Sequence, residues 1–274
     1  MQKKAAVIND FASYGRCSLA VAIPILSAMR VQCCAVPTAI FTNHTGYPSF
    51  SWTDYTDHMD DYIREWKKLD LRFDAVQTGF LGSKAQIDFV FRFLDAFREP
   101  DTVVAIDPVM GDYGRLYSTY SRDLAESMRR FLDVADILTP NLTEACVLAG
   151  VEYDPEISDA QLDRLARGLA DHRGAKVAIT GVQRGSYIAN HVYERGKVSR
   201  TICEPKIGAD RSGTGDVFSA VVLADAVNGV PFAESVAKAS AFVASAVRRS
   251  VELDVPVRDG LAIEEVLSEL YSAE

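Results

Sequence analysis

Thr102-Val103-Val104-Ala105-Ile106-Asp107-Pro108-Val109-Met110-Gly111-Asp112 runs five β-type or apolar residues straight into an acid. A short apolar run with no polar face reads as a strand covered on both sides. On its amino side, Ser83 stands at the N-cap position of a helix. Ile87, Val90, Phe91, Leu94 and Phe97 follow at spacings of three and four. Before that helix, Asp74 to Thr78 is another strand. On the carboxyl side the pattern continues as helix 121–132, strand 135–139, helices 141–149 and 158–172, and strand 176–180. The chain begins with a strand at Ala5 to Ile8 and a helix from Ser18 to Arg30, in which Pro24 forces a kink or a late start. Val31 to Thr42 returns to β-type residues. Ser51 to Lys68 is expected as a polar-faced helix whose acids, Asp54, Asp57, Asp60 and Asp61, form a solvated face.

Strands alternating with helices predict an α/β fold, with a central, mostly parallel sheet covered by helices on both faces. Gly185 to Cys203 differs. Tyr187 to Tyr193 alternates, Glu194-Arg195-Gly196 turns, and a second strand follows, which predicts a small antiparallel addition at a sheet edge. Helices over about 214–228, 231–249 and 261–272 close the chain. No repeat, low-complexity stretch or linker interrupts residues 1–274, so one domain is expected.

The 274 residues carry a net charge of −9 with 48% hydrophobic content. Such a surface repels nucleic-acid phosphates, and no Lys/Arg block offsets it. Cys17, Cys33, Cys34, Cys146 and Cys203 form no C-x-x-C pair, so reduced thiols are expected rather than zinc ligands or disulfides. The apolar run after Met1-Gln2-Lys3-Lys4 is too short for a secretion signal, and none reaches the roughly 18 residues of a membrane span. A cytoplasmic location with no membrane partner is expected.

In open α/β sheets, ligands bind past the carboxyl ends of the strands. The polar residues there are Asn9-Asp10, Asn43-His44-Thr45, Thr78, Asp107, Thr139 to Asn141 and Thr180-Gly181. Three groups of residues could carry chemistry. Gly213-Thr214-Gly215-Asp216 opens an apolar helix, where free N–H groups and the helix dipole favour an anion. Asp216 is then either a carboxylate complementing the dipole or a base beside an anion hole. Asp107 and Asp112 are either turn-capping acids or groups placed to hold a metal. Asn141 and Glu144 form a capping box after Thr139-Pro140, which by itself describes only a well-made helix start. The Walker A, G-x-G-x-x-G and G-x-S-x-G patterns are absent, which disfavours P-loop enzymes, Rossmann dehydrogenases and α/β-hydrolases.

Taken together, Asp107 to Asp112, Thr139 to Glu144, Ile179-Thr180-Gly181 and Gly213 to Asp216 resemble the ribokinase-like kinases in order and spacing. Within that group, Phe41-Thr42-Asn43-His44-Thr45-Gly46-Tyr47 and Val76-Gln77-Thr78-Gly79-Phe80-Leu81-Gly82 resemble the pyridoxal (vitamin B6) kinases, and the likeness spans about residues 5 to 245. The resemblance implies ATP-dependent phosphorylation of a hydroxymethyl group on pyridoxal, pyridoxamine or pyridoxine, by a cytoplasmic homodimer. Asp216 would be the catalytic base, with Gly213, Thr214 and Gly215 donating N–H groups to the transferring phosphoryl group. Asp107 and Glu144 would hold Mg²⁺ through waters, and Thr139 would help place K⁺. Asp112, Asn141, Thr180 and Gly181 would flank the nucleotide, and Lys206 would reach a phosphate. Asn9, His44, Thr45, Tyr47 and Phe80 would line the pyridine pocket.

Three features depart from the pyridoxal kinase pattern. Asn9 stands where Ser is common, Phe80 where Tyr is common, and the loop Asp10 to Cys17 differs. Two alternatives stay open: a hydroxymethylpyrimidine kinase on the same fold, or a ligand-binding protein without catalysis.

Overall fold

A computed structural model describes residues 2–271. In chain order its elements begin with β1 (Lys3–Ala12), α1 (Ser18–Ala28), β2 (Val31–Phe41), β3 (Trp52–Asp54), α2 (Thr56–Lys68), β4 (Ala75–Thr78) and α3 (Lys84–Phe97). The middle of the chain holds β5 (Val103–Ile106), the short hairpin β6 (Gly111–Asp112) and β7 (Arg115–Leu116), α4 (Arg122–Ser127), β8 (Ile137–Leu138), α5 (Leu142–Ala149) and α6 (Asp159–Ala170). Then come β9 (Lys176–Arg184), β10 (Tyr187–Tyr193), β11 (Arg200–Pro205), α7 (Thr214–Asn228) and α8 (Phe232–Glu252).

Nine strands form one sheet in the order β11-β10-β9-β8-β5-β4-β1-β2-β3. The six from β9 to β2 pair in parallel, while β10, β11 and β3 add antiparallel edges. Two apolar layers cover the two faces, one built on Phe73, Phe89, Phe93 and Phe131, the other on Leu19, Ile25, Val221 and Phe242. Among the described residues no helix is long and apolar enough to cross a membrane.

The chain leaves β1 for β2 on one side and returns to β4 on the other. The β1–β4 boundary is therefore a topological switch point, where neighbouring connections diverge and leave a crevice. At this point β1 also breaks its register with β2, between Asn9 and Phe11.

Three expectations change. Ser51 to Asp54 is not helical: Trp52–Asp54 pairs antiparallel with Ala39–Phe41, and the Asp54 carboxylate accepts from the Thr56 amide (2.7 Å), so that α2 starts only there. The helix over 121–132 splits into α4 and a 3₁₀ segment, Met128–Asp133. The closing helix over 261–272 is instead two 3₁₀ turns, Ile263–Glu265 and Leu267–Leu270, and Ser272 lies outside the described residues. There Leu261, Ala262 and Ile263 are all buried, which no one-sided helix permits, and the Ala262 amide donates to the Ser250 hydroxyl on α8 (2.8 Å).

Phe93 is fully buried, with ring centroids of Phe97, Phe89, Phe73 and Trp66 at 4.7, 5.8, 5.9 and 6.0 Å. Phe93→Ala should lower the unfolding free energy by about 3–5 kcal/mol in a urea titration, because the aromatic cluster cannot collapse into the space.

Candidate active site

Gly213 ends the loop before α7 in the left-handed region (φ +85°), and a Cβ there would overlap the Arg16 carbonyl oxygen. Only glycine meets both demands. The first turn of α7 is thereby pressed against the loop following β1, with Asp216 facing inward. The Asp216 carboxylate accepts from Asn9 Nδ2 (3.2 Å).

On one side of Asp216 lies a cavity of about 1020 Å³. Into it the fold brings Asp107, Asp112, Thr139, Asn141, Glu144, Thr180, Gly181, Lys206 and the Gly213–Asp216 turn, all expected there from the sequence. Glu144 accepts from the amides of Met110 (3.0 Å) and Asn141 (2.8 Å), and Asn141 Nδ2 donates to the Gly111 carbonyl (2.8 Å). The capping box of α5 thus also anchors the β6–β7 hairpin. Gly181 takes φ +71°, and its amide donates to the Asn190 side chain (3.1 Å). Lys206 Nζ lies 3.5 Å from Asp210, which also bonds the Tyr113 hydroxyl at the hairpin tip. Tyr113 and Asp210 so form a bridge across the cavity.

Asn9, His44, Thr45, Tyr47 and Phe80 do not line this cavity. They belong to the group behind Asp216, which Asn9 alone of the five touches by a hydrogen bond. Phe80 packs edge-on against Tyr120 (6.0 Å) and Phe41 (6.0 Å). His44 Nδ1 accepts from the Gly46 amide (3.1 Å), so Nε2 carries the proton given to the Arg258 carbonyl (2.6 Å). With both ring nitrogens bound to protein, His44 serves to hold its loop. Thr45 is exposed beside it. Tyr47 gives its hydroxyl proton to Asp259 (2.5 Å), and Tyr14 to the other oxygen of the same carboxylate (3.1 Å).

The segment from Val255 to Gly260 was not singled out from the sequence, yet it joins three loops of the site. Buried Arg211 donates through one nitrogen to the carbonyls of Val255, Pro256 and Gly260 (3.0, 3.2 and 3.2 Å). Arg16 donates to the Asp259 carbonyl (3.2 Å) and pairs with Glu264 (2.9 Å). No local signal marked these residues, since Val257-Arg258-Asp259-Gly260 reads as an ordinary turn.

Asp107, Glu144 and Asp216 share the site. Burial raises Asp107, and the charge of Asp216 adds to it; burial and then Asp107 raise Glu144. Burial also raises Asp216, against the Ser18 and Asn9 donors. Among the described residues no group of three His, Cys, Asp or Glu side chains could hold a metal. Two buried acids on a cavity large enough for a nucleotide do suit Mg²⁺, which takes one or two carboxylates and completes its shell with phosphate oxygens and water.

Residues 23–258 match the family model for phosphomethylpyrimidine kinase. The chain belongs to that family. A pyridoxal kinase of Arabidopsis thaliana is 32% identical over 67% of this chain and 61% of its own length, so the match spans less than two thirds of that relative. A Bacteroides thetaiotaomicron structure provisionally described as a phosphomethylpyrimidine kinase, in a crystal form with pyridoxal, is 37% identical. It has a TM-score of 0.96 over 100% of this chain and 97% of that one. The pyridoxal kinase of Lactobacillus plantarum is 27% identical, with a TM-score of 0.91 over 98% and 97% of the two chains. The ribokinase-like fold expected from the motifs, with its kinase kinship, is borne out.

Asp10, beside this cluster, is pushed up to about 7 by burial, against a hydrogen bond with Ser18 and reinforced by the charge of Asp216. A carboxyl raised on folding binds more protons in the folded chain, so its contribution to stability is full at low pH and is lost as pH rises through the folded value. The melting temperature should therefore fall between about pH 4 and 7, and Asp10→Asn should flatten that fall in thermal scans.

Proposed function

We propose that the protein is an ATP-dependent kinase that phosphorylates the hydroxymethyl group of a vitamin B6 compound. The observation that carries this reading is the position of Asp216, a carboxylate that lines a cavity large enough for a nucleotide and meets Asn9, beside Phe80, on its other side. A carboxylate at this edge can take the proton from an alcohol whose oxygen lies directly against the terminal phosphorus. Similarity to proteins named pyridoxal kinase, and to a structure crystallised with pyridoxal, supports B6 over the pyrimidine named by the family model.

In this reading the nucleotide triphosphate lies along the cavity, flanked by Asp112, Asn141, Thr180 and Gly181. Asp216 accepts the hydroxymethyl proton as the oxygen attacks the γ-phosphorus. The N–H groups of Gly213, Thr214 and Gly215 stabilise charge on the transferred group, helped by the dipole of α7. Lys206 exchanges Asp210 for a phosphate oxygen. Asp107 and Glu144 would hold Mg²⁺, which when bound neutralises phosphate charge. Phosphoryl transfer asks little else of a protein than such positioning and neutralisation. The front loops, pinned by Asp259 and the Arg258 carbonyl, enclose the vitamin ring against Phe80. A location in the cytoplasm and a homodimeric state complete the proposal.

ATP consumption with Mg²⁺ and K⁺ should be followed against pyridoxal, pyridoxamine, pyridoxine and hydroxymethylpyrimidine in parallel. Turnover is expected on a B6 compound; turnover on the pyrimidine alone would reassign the substrate. Asp216→Asn should lower kcat by roughly 10²–10⁴-fold while ATP and vitamin dissociation constants hold. Asp107→Ala should raise the Mg²⁺ concentration for half-maximal rate by about tenfold or more.

A further inference from the structure

The geometry points to Asn9 as a positioning residue for Asp216 rather than a contact to the substrate ring. This inference rests on Asp216 being the base of the proposed reaction. Asn9 is buried (6% exposed) at the carboxyl end of β1, on the switch point between β1 and β4. Its Oδ1 accepts two backbone donors, the amides of Asp10 (2.9 Å) and Phe80 (2.7 Å). Amides can only donate, so this oxygen is assigned without ambiguity, and the opposite end of the side chain must be the NH₂ group. That NH₂ meets Asp216 Oδ1 at 3.2 Å.

The neighbourhood is cut to this side chain. A Cβ on Gly79 would overlap the amide group of Asn9. The glycine after β4 therefore leaves the space that the asparagine fills, and any side chain there would displace it. The Asn9 amide is thus locked from two strands at once before it reaches α7. A donor held this rigidly fixes the direction of the carboxylate it touches, at no cost in reorganisation when the substrate arrives.

Asn9→Asp replaces the donor. It keeps the shape and the oxygen that accepts from Asp10 and Phe80, but in place of a neutral NH₂ it sets a second carboxyl against Asp216, so that the pair repels or shares one proton. The expected result is a fall in kcat of about 10²-fold, with KM for ATP and for the vitamin changed less than about twofold. In the Asp216→Asn background, the same substitution should reduce the residual turnover by less than about twofold, because the group it acts through is gone. Asn9→Ala, with thermal melting followed alongside, checks that the loss does not track stability. A raised vitamin KM with kcat preserved would overturn the inference in favour of a substrate contact. A full, additive loss in the Asp216→Asn background would overturn it while leaving Asp216 as the base. Parental turnover in Asp216→Asn itself would remove the base, and the inference with it.

Discussion

One carboxylate, placed where two strands diverge, organises this molecule. Asp216 sits in the first turn of α7, pressed onto the β1 loop by a glycine that tolerates neither a side chain nor a right-handed backbone. A donor from another element holds it, the Asn9 side-chain amide. Burial alone would favour the neutral acid, and the donor works against that. The opposition is instructive: a base must be partly stripped of water to be strong, and must be bonded well enough to stay charged. Asp107, Glu144 and Asp10 lie close by, and burial, reinforced by neighbouring charge, raises all three toward their neutral forms.

The second constraint is at the back of the site. Loops need an external frame if they are to hold ligands in fixed positions. Here the frame is six residues near the carboxyl end of the described chain. The carbonyls of Val255, Pro256 and Gly260 converge on one nitrogen of Arg211, while Asp259 takes the hydroxyls of Tyr14 and Tyr47. Loops from residues 13–17, 43–47 and 209–213 are thereby joined, although no two of them adjoin in sequence. His44 completes the join by spending both its nitrogens on protein.

Much of this was legible in the amino-acid order, for definite reasons. The parallel strands are short apolar runs, and each ends in a polar residue that marks the ligand edge; Asp107 and Thr180 are plain cases. The capping box at Asn141 and Glu144 signals the start of α5, and the Gly213–Asp216 turn signals α7. What stayed hidden depended on distance or on burial. Ser51 to Lys68 carries polar residues throughout, so periodicity could not show where β3 stops and α2 starts. Residues 261–270 bury apolar side chains on more than one side, which imitates a helix in sequence and breaks it in space. Asn9 was readable as a pocket residue, but its partner is 207 positions away, and only the fold brings the two together. Asp259 carried no local mark at all.

The central claim is that one carboxylate faces both the alcohol and the phosphate. A crystal structure of the protein with pyridoxal and a non-hydrolysable ATP analogue tests it most directly. The account predicts the hydroxymethyl oxygen within hydrogen-bond reach of Asp216, about 2.6–3.2 Å, with the terminal phosphate over the Gly213–Gly215 amides. A vitamin bound with that oxygen turned away from Asp216, or a terminal phosphate lying elsewhere in the cavity, would contradict it.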